Sequence, residues 1–287
     1  MGMERETRGT VVITGCSTGI GRATALQLAK RGHRVFAGVR SRSHAASLEA
    51  ESPRIAGLLI DVTDAASIEA AAKQVAAELA SAGLAGLVNN AGIALGGALE
   101  FLALDELRRQ LEVNLIGQVA VTQAFLPLIR RGRGRIVFVS SIGGRIAQPI
   151  IGPYNASKFA LEAAADALRQ ELRPSKLHVA VIEPGSIQTA IFEKARPYGE
   201  EMLDKLPEEG KRLYADMGRA VIDAFSRIEK QAIPPERVAR AIEHALTAPR
   251  PKTRYLVGID ARIQALLAWL LPDRARDWVI ARVLGLP

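Results

Sequence analysis

The stretch VVITGCSTGIGRATALQLAKRG, residues 11–32, decides the fold. Its first four residues are β-branched, its turn carries Gly15, Gly19 and Gly21, and an alanine- and leucine-rich amphipathic run follows. Glycine lets the backbone approach a pyrophosphate, and a helix N-terminus offers free N–H groups, so a strand, a glycine turn and a helix predict a dinucleotide-binding unit. The spacing Gly-x-x-x-Gly-x-Gly departs from the commoner Gly-x-Gly-x-x-Gly, and a tight turn without a ligand stays an alternative.

The alternation of short strands and long helices continues along the chain. Further apolar runs predict strands at 34–39, 57–61, 86–90, 135–141, 177–185 and 254–259. They are continuously apolar, which is typical of parallel strands covered on both faces. We therefore predict an α/β fold of the Rossmann type, with a doubly wound parallel sheet of about seven strands in three α/β/α layers. Residues 1–287 are predicted to form a single domain, with a substrate-lid insertion at about 190–232 and an apolar C-terminal extension at about 262–287.

Composition limits the class of protein. The only cysteine is Cys16, so an internal disulfide is impossible and nothing favours an oxidising compartment. The N-terminus is polar and we expect no stretch of the roughly 18–20 apolar residues that span a membrane, so we expect a cytoplasmic protein. The net charge is +8, but the densest basic stretch, IRRGRGR at 129–135, is short. We expect a diffusely basic surface and no nucleic-acid binding.

Two residue types could indicate further chemistry. Cys16 lies in the glycine turn and is interpreted as a small buried residue rather than as a redox switch. The four histidines show no metal-ligand spacing, and we expect no metal site. His178 lies in an apolar strand and is expected to be a core residue.

The end of the second predicted strand indicates the cofactor. An acidic residue there would bind a ribose 2′-hydroxyl, whereas an arginine accommodates a 2′-phosphate. The sequence has Val39 at that place, followed by Arg40, with Arg42 close by and Ser17 available from the glycine turn. We therefore predict NADP(H) rather than NAD(H); the alternative for Arg40 is an ordinary surface arginine.

A tyrosine and a lysine stand four residues apart in GPYNASKFALE, 152–162, so they share one face of a predicted helix. Six other motifs occur in order: TGCSTGIG at 14–21, DVT at 61–63, NNAG at 89–92, LEVN at 111–114, VSSIGG at 139–144 and PGSIQT at 184–189. Together they resemble the short-chain dehydrogenase/reductase family over roughly residues 9–260. Runs such as VFAGVR at 35–40 resemble its branch of 17β-hydroxysteroid and retinol dehydrogenases.

The resemblance implies a catalytic tetrad of Asn114, Ser141, Tyr154 and Lys158, with Tyr154 as general acid/base and Ser141 selected over Ser140 by its distance from the tyrosine. A free tyrosine has a pKa of about 10, and the Lys158 ammonium and an oxidised nicotinamide are expected to lower it. The resemblance further implies that Ser141 bonds the substrate oxygen, Lys158 the nicotinamide ribose, and Asn114 a water near the lysine. The implied cofactor contacts are Gly15, Ser17, Thr18, Gly19, Ile20, Gly21, Arg40, Asp61, Val62, Asn90, Ala91, Gly92, Tyr154, Lys158, Pro184, Gly185, Ile187 and Thr189.

Members of this branch act on lipophilic alcohols. We therefore expect interconversion of an alcohol and a ketone or aldehyde on a steroid-, retinoid- or lipid-like substrate. The alternatives are a ketoacyl- or small-carbonyl reductase and a non-catalytic NADP-binding regulator. The residues expected to face the substrate are Ser141, Tyr154, Ile93, Leu95, Ile142, Gly143, Ile146, Ile150, Ile187 and Phe192.

Two further expectations concern partners. The resemblance implies a homodimer or homotetramer formed through two long helices. The C-terminal run RIQALLAWLLPDRARDWVIARVLGLP, 262–287, has apolar bands flanked by basic residues. It has three open interpretations: a subunit contact or lid over the pocket, an extra core helix, or a weak membrane-surface contact that collects lipophilic substrate.

Overall fold

Seven parallel strands form the sheet of the computed structural model, which describes residues 8–286, without the side chains of 190–195. The spatial order is β3-β2-β1-β4-β5-β6-β7, so the predicted doubly wound sheet is confirmed. The direction of winding reverses between β1 and β4, where ligands of such sheets bind. The strands are β1 (Thr10–Ile13), β2 (Arg34–Val39), β3 (Ile55–Leu59), β4 (Gly86–Asn89), β5 (Arg135–Val139), β6 (His178–Pro184) and β7 (Arg254–Val257).

Helices connect the strands and cover both faces. They are α1 (Gly19–Lys30), α2 (Arg42–Glu49), α3 (Ala65–Leu79), α4 (Leu104–Leu111), α5 (Gly117–Gly132), α6 (Gly152–Glu171), α7 (Ala190–Asp204), α8 (Glu208–Glu229), α9 (Glu236–Thr247), α10 (Ile259–Leu270) and α11 (Asp273–Leu284). A π-helical turn, Glu112–Ile116, joins α4 and α5 into one long helix. The insertion expected at about 190–232 contains α7 and α8, of which α8 alone has 22 residues.

Neighbouring residues of each strand face opposite helical layers. Val11 and Ile13 pack with residues of α1, α2 and α9, whereas Val12 packs with residues of α3, α5 and α6. Both faces of the sheet are therefore dry, which is the physical reason for the continuous apolar runs in the sequence. Full burial of a side chain such as Phe36 or Phe125 stabilises the fold by about 1.5–3 kcal/mol.

The long helix Leu104–Gly132 corrects one expectation. It contains an 18-residue window with a mean hydropathy of 1.3, which by length and composition alone could cross a membrane. In the structure 44% of that window is buried, and Val121, Phe125 and Ile129 pack in the core beneath the sheet. Core helices of globular domains share this composition, so the window is weak evidence for a membrane span.

The C-terminal extension has one packed side and one exposed side. Ala261 and Ala265 of α10 pack against the 3₁₀ turn Ile142–Gly144, and Leu284 of α11 packs with α8. The opposite side exposes Ile259 (74%), Trp269 (80%) and Trp278 (62%). The inner side of the extension is thus part of the hydrophobic core, and its outer side is an exposed apolar surface.

The structure also shows the surroundings of the cysteine and of two histidines. Cys16 is buried, its thiol donates to the Ile13 carbonyl at 3.3 Å, and burial raises its pKa, which suits an inert packing residue. The expectation that His178 is a core residue is wrong, because β6 enters the interior only at Val179 and His178 is exposed. The buried histidine is His33, at the start of β2, where burial lowers its pKa.

Candidate active site

The glycine turn after β1 forms a cradle at the carboxyl edge of the sheet. Gly15 and Gly19 have φ values of +71° and +57°, a region that favours glycine. A Cβ at Gly21 would lie 2.3 Å from the Gly15 carbonyl oxygen, so only glycine allows this close approach. Thr18 precedes α1 without a side-chain cap, which leaves the first N–H groups of the helix for a ligand. These residues therefore fit the pyrophosphate of a dinucleotide.

Asn90 holds this cradle together. Its Nδ2 donates to the carbonyl oxygens of Thr14 at 2.9 Å and Gly15 at 3.0 Å. Thr14 Oγ1 in turn accepts from the backbone N–H groups of Asn90 and Ala91, each at 3.0 Å. The loops after β1 and β4 are thus fixed to each other at the point where the sheet reverses its winding. Gly92 continues this loop towards the Asn114 side chain.

The loops after β2 and β3 form the neighbouring part of the edge. Arg40 is exposed directly after β2. Asp61 accepts from Thr63 N at 2.9 Å and Thr63 Oγ1 at 2.7 Å; these bonds and the charge of Arg40 lower its pKa. The residue that caps α3 is Asp64, not Asp61, so Asp61 is not the helix cap. Val62 is buried beside it.

The loop after β6 closes over the cradle. Gly185 N donates to the Val257 carbonyl oxygen at 2.9 Å, which continues the pairing of β6 and β7 beyond Pro184. Ile187 is buried in the core and pairs with Ile233. A Cβ at Gly19 would lie 3.0 Å from the Thr189 methyl group, so this loop reaches the start of α1. Ile20 packs partly against the core from the same turn of helix.

Ser141, Tyr154 and Lys158 converge where β5 ends and α6 begins. The Ser141 hydroxyl and the Tyr154 ring both lie beside Gly143, and the hydroxyl accepts from Gly143 N at 3.1 Å. Lys158 Nζ lies 5.8 Å from the Tyr154 ring centroid and donates to the Val139 carbonyl oxygen at 2.9 Å. Ser140 instead faces Glu162, so the structure brings Ser141, and not Ser140, to the phenol.

Burial determines the protonation of both ionisable groups. It raises the pKa of the half-buried Tyr154 phenol, which the hydrogen bond from Ser141 lowers by less. Burial also lowers the pKa of Lys158 to about 8, although the negative charge of Glu162 raises that pKa. In the protein alone, desolvation of the phenolate outweighs its partners, and the lowering expected beside an oxidised nicotinamide stays a prediction.

Asn114 lies in the π-helical turn and binds two neighbouring segments. Its Nδ2 donates to the Ile93 carbonyl oxygen and to Ser157 Oγ, both at 3.0 Å, and its Oδ1 accepts from Ile93 N at 2.9 Å. Ser157 Oγ donates to the Tyr154 carbonyl oxygen at 2.7 Å. Asn114 thus positions the loop after β4 against the first turn of α6, and π turns of this kind are frequent at functional sites.

The residues expected to face substrate have different surroundings. Ile93 and Leu95 lie on the loop after β4, where Gln110 bonds both of their backbones. Ile142 and Ile146 follow Ser141 and pack with Ala261 and Ala265 of α10 in a small core. Phe192 belongs to the first turns of α7, and its side chain lies outside the described residues.

Ile150 is in an unusual backbone conformation beside this region. Its φ of +67° is strained for a β-branched residue, and its carbonyl oxygen accepts from Gly97 N at 2.6 Å. Ile150 and Gly97 both line a cavity of about 30 Å³ against α7 and α8. The strained residue therefore joins the loop after β4 to the insertion.

The chain is similar to known proteins over most of its length. The family model described as short chain dehydrogenase matches residues 9–199. Retinol dehydrogenase 5 of Mus musculus is 38% identical over 96% of this chain and 89% of its own length. The 17-beta-hydroxysteroid dehydrogenase type 6 of Homo sapiens is 38% identical over 95% and 87%.

A bacterial relative and a solved structure extend the likeness. The NADPH-dependent 3-dehydrocapnine reductase of Ornithobacterium rhinotracheale is 35% identical over 93% of this chain and 94% of its own. A short-chain dehydrogenase of Streptomyces avermitilis superposes with a TM-score of 0.75 at 29% identity, covering 98% of this chain and 96% of that one.

The chain belongs to the short-chain dehydrogenase/reductase family. It is an oxidoreductase of that family and resembles its steroid and retinol branch, as the sequence motifs predicted. The single-domain Rossmann-type fold agrees with its structural neighbour. Short-chain dehydrogenases use NAD or NADP, and the cradle described above fits either dinucleotide.

Within this short-chain dehydrogenase, sequence reasoning missed several positioning residues. Asn155 Nδ2 donates to the carbonyl oxygens of Gly143 and Ile146 and so shapes the loop after β5. Asn155 and Ser157 stand inside the YNASK motif, where they could have been found. Glu162 follows Lys158 by one turn of α6, and its burial against Arg254 of β7 had no signal in the sequence.

Proposed function

We propose that this short-chain dehydrogenase is NADP(H)-dependent and interconverts an alcohol with a ketone or aldehyde on a hydrophobic, steroid-, retinoid- or lipid-like substrate, with Tyr154 as the acid/base. The observation that carries the proposal is the convergence of Ser141, Tyr154 and Lys158 at the carboxyl edge that also holds the glycine cradle. That arrangement lets a substrate oxygen meet the phenol while its carbon faces the cofactor.

Each side chain has a role that follows from its surroundings. Tyr154, with its raised pKa, is protonated at neutral pH and gives its proton to the carbonyl oxygen during reduction. In the reverse direction it accepts the hydroxyl proton, so oxidation gains from higher pH. The Ser141 hydroxyl hydrogen-bonds the same oxygen and fixes its distance from the phenol. A bound dinucleotide supplies or accepts the hydride.

Lys158 and Asn114 support these groups. Lys158, with a pKa of about 8, carries its charge at neutral pH and is held by the Val139 carbonyl oxygen. Its remaining N–H groups are available to the nicotinamide ribose. Asn114 keeps the loop with Ile93 against α6. An ordered water that Asn114 binds beside Lys158 would be the last member of this group of proton-transfer residues.

Arg40 supports NADP(H) over NAD(H). It is exposed after β2 and its charge acts on Asp61, so a phosphate on the adenine ribose would meet a cation at that place. The NADPH-dependent bacterial relative, 35% identical, agrees with this preference. Arg42 and Ser17 lie on the adjoining segments.

The substrate class rests on the retinol and hydroxysteroid relatives and on the apolar residues around the site. A ketoacyl- or small-carbonyl reductase of the same family is the second candidate, and a panel of ketones of graded hydrophobicity separates the two. We place the protein in the cytoplasm as a homodimer or homotetramer, and we propose a weak membrane-surface contact through the exposed side of α10 and α11.

The mechanism is tested by Tyr154→Phe. We expect kcat for ketone reduction to fall by about 10²–10⁴-fold, because the proton donor is lost. NADPH affinity, measured by fluorescence titration, should stay within about twofold, since only one hydroxyl is removed. Tyr214→Phe is the control, because its hydroxyl bonds Glu100 at the surface.

Near-normal turnover in Tyr154→Phe would refute the assignment of the acid/base. A protein that binds NADPH but turns over no ketone or alcohol in the panel would instead support a non-catalytic regulator.

A further inference from the structure

A concave site beside β7 has no part in the proposed reaction. Its volume is about 790 Å³, within the range of about 300–1,000 Å³ for small-molecule pockets. Six cationic side chains line it: Arg145, Arg237, Arg240, Lys252, Arg254 and Arg262. Within residues 8–286 no acidic side chain is part of this lining. We call it the cationic cleft.

Two of the six cations are fixed by buried carboxylates. Arg254 donates to Glu162 at 3.0 Å and to Asp166 at 2.7 Å, and it pairs with Glu183 at 3.0 Å. Arg145 pairs with Glu183 at 2.8 Å. Glu183 is fully buried and Glu162 nearly so. The two guanidinium groups are therefore held rigidly at the back of the cleft, which reduces the entropy lost when a ligand binds.

The other four cations are not neutralised. In the described part of the chain, Arg237, Arg240, Lys252 and Arg262 have no carboxylate within ion-pair distance. They come from α9, from the turn before β7 and from α10, so they surround the cleft. Uncompensated charges on the walls of a concave site concentrate a positive potential inside it.

The charge pattern selects the occupant. In a two-fold symmetric contact between two copies, the cationic cleft of one copy would face the cationic cleft of the other or the residues around it. The like charges would repel each other and oppose such a contact. A ligand with several anionic oxygens matches the guanidinium forks instead. Leu256, Val257 and Ala241 add a small apolar floor between the cations.

The cationic cleft is separate from the active site. Leu256 lines the cleft and also packs against the small core of Ile142, Ile146, Ala261 and Ala265. Ser141, the residue before Ile142, faces Tyr154 on the other side of this layer. Arg40 follows β2, near the opposite edge of the sheet from β7.

We propose that the cationic cleft binds a small polyanion carrying two or more phosphate-type groups, at a site distinct from the cofactor and the substrate. The same chemistry occurs in free phosphate compounds and in lipid headgroups. The proposal does not depend on the identity of the substrate or on the role of Tyr154.

The test is calorimetric titration of inorganic pyrophosphate into the protein saturated with its dinucleotide cofactor, so that the glycine cradle is filled. We expect one site. Arg240→Glu and Arg237→Glu, both at exposed helix positions, should each raise its Kd by about tenfold or more, because a charge-assisted contact is lost. Arg131→Glu, an exposed arginine in the densest basic stretch, is the charge-matched control and should change Kd by less than about twofold.

Absence of binding to the unmodified protein would overturn the proposal. An equal loss in Arg131→Glu would also overturn it, because binding would then reflect diffuse surface charge. Dissociation of an oligomer by Arg240→Glu without pyrophosphate binding would assign the cleft to a second copy. Glycerol 3-phosphate and short-chain phosphatidate then separate the sources: tighter phosphatidate binding supports a lipid headgroup, and equal binding supports a free phosphate compound.

Discussion

Tyr154 and Lys158 stand four residues apart, yet their properties depend on residues from other elements. Ser141 follows β5 and lowers the pKa of the phenol that burial raises, while Glu162 raises the pKa of the ammonium that burial lowers. The two groups therefore share one helix face by their spacing and acquire their protonation from burial. Similar reasoning applies to Arg40. Its place directly after β2 leaves its charge at the surface of the protein, where the fold does not use it.

Arg40→Ala tests the cofactor preference at the residue scale. We expect KM for NADPH to rise by about tenfold or more, because a charge-assisted phosphate contact is lost. KM for NADH is the internal control and should change little, since NADH has no 2′-phosphate. Steady-state kinetics with both cofactors measures this, and an equal rise for both would count against the assignment.

Glu162→Gln tests the electrostatics around Lys158. The charged groups that act on Glu162 are Lys158 on α6, Glu183 on β6 and Arg254 on β7. Asp166 and Arg145 complete the cluster, because Asp166 binds Arg254 and Arg145 pairs with Glu183. The negative charge of the Glu162 carboxylate raises the pKa of Lys158. Replacing this carboxylate by an amide should therefore lower the pKa of Lys158 below about 8. The ammonium is then lost at lower pH, so the alkaline limb of the kcat/KM profile should move to lower pH.

Asp166→Asn is the matched control for Glu162→Gln. Asp166 also binds Arg254, at 2.7 Å, but lies one turn further from Lys158. Its pH profile should keep the alkaline limb in place. A limb that moves equally in both variants would indicate disruption of the Arg254 cluster, and a limb that moves in neither would show that Glu162 does not act on Lys158.

At the scale of elements, α10 and α11 pack as extra core helices, which is one of the three interpretations from the sequence, and the membrane-surface contact stays a proposal. Ala265 and Leu284 are buried, so removal of the chain after residue 262 would expose core and destabilise the protein. Trp269 and Trp278 are exposed, so they can be changed without loss of packing. Tryptophan at such a surface suits the boundary between water and lipid.

Trp269→Gln with Trp278→Gln tests the membrane contact. We expect the unmodified protein to float with anionic liposomes and the double variant to remain in the aqueous fraction, because the apolar anchors are lost. Thermal unfolding should be unchanged. Leu213→Gln on α8, also an exposed apolar residue, is the control. Failure of the unmodified protein to float would exclude the membrane contact.

At the scale of the whole molecule, exposed apolar residues indicate where copies of the chain would meet. Ile116 in the π turn and Phe159 on α6 are both exposed, although the helices that carry them pack against the sheet with their other faces. Proteins of this fold commonly form oligomers. We therefore propose the two long helices that carry these residues, α5 with its π turn and α6, as the contact surface that the family resemblance implied.

Phe159→Glu tests this surface. We expect the sedimentation coefficient to fall to that of a monomer, because a charge would be buried at the interface without a partner. Leu213→Glu is the control and should leave the assembly intact. An unchanged assembly in Phe159→Glu would place the interface elsewhere, and a monomeric parent protein would remove the expectation.

The sequence predicted the doubly wound parallel sheet and the places of its seven strands along the chain well, because local periodicity specifies the strands. Boundaries moved by up to two residues; β3, for example, occupies Ile55–Leu59 rather than 57–61. The sequence failed for His178, whose exposure depends on where β6 enters the core, and it did not indicate that Ile142 and Ile146 pack against α10. Neither is visible in a short window of sequence.

The sequence by itself determined the parallel sheet, the glycine cradle and the shared helix face of Tyr154 and Lys158, because each depends on residues close together in the chain. Only the tertiary structure decided that desolvation raises the pKa of the Tyr154 phenol, and that cations from the loop after β5, α9, the turn before β7, β7 and α10 surround one cleft. These features depend on burial and on contacts between residues far apart in the chain, such as Glu162 and Arg254 at a separation of 92 positions, where local pattern carries no information.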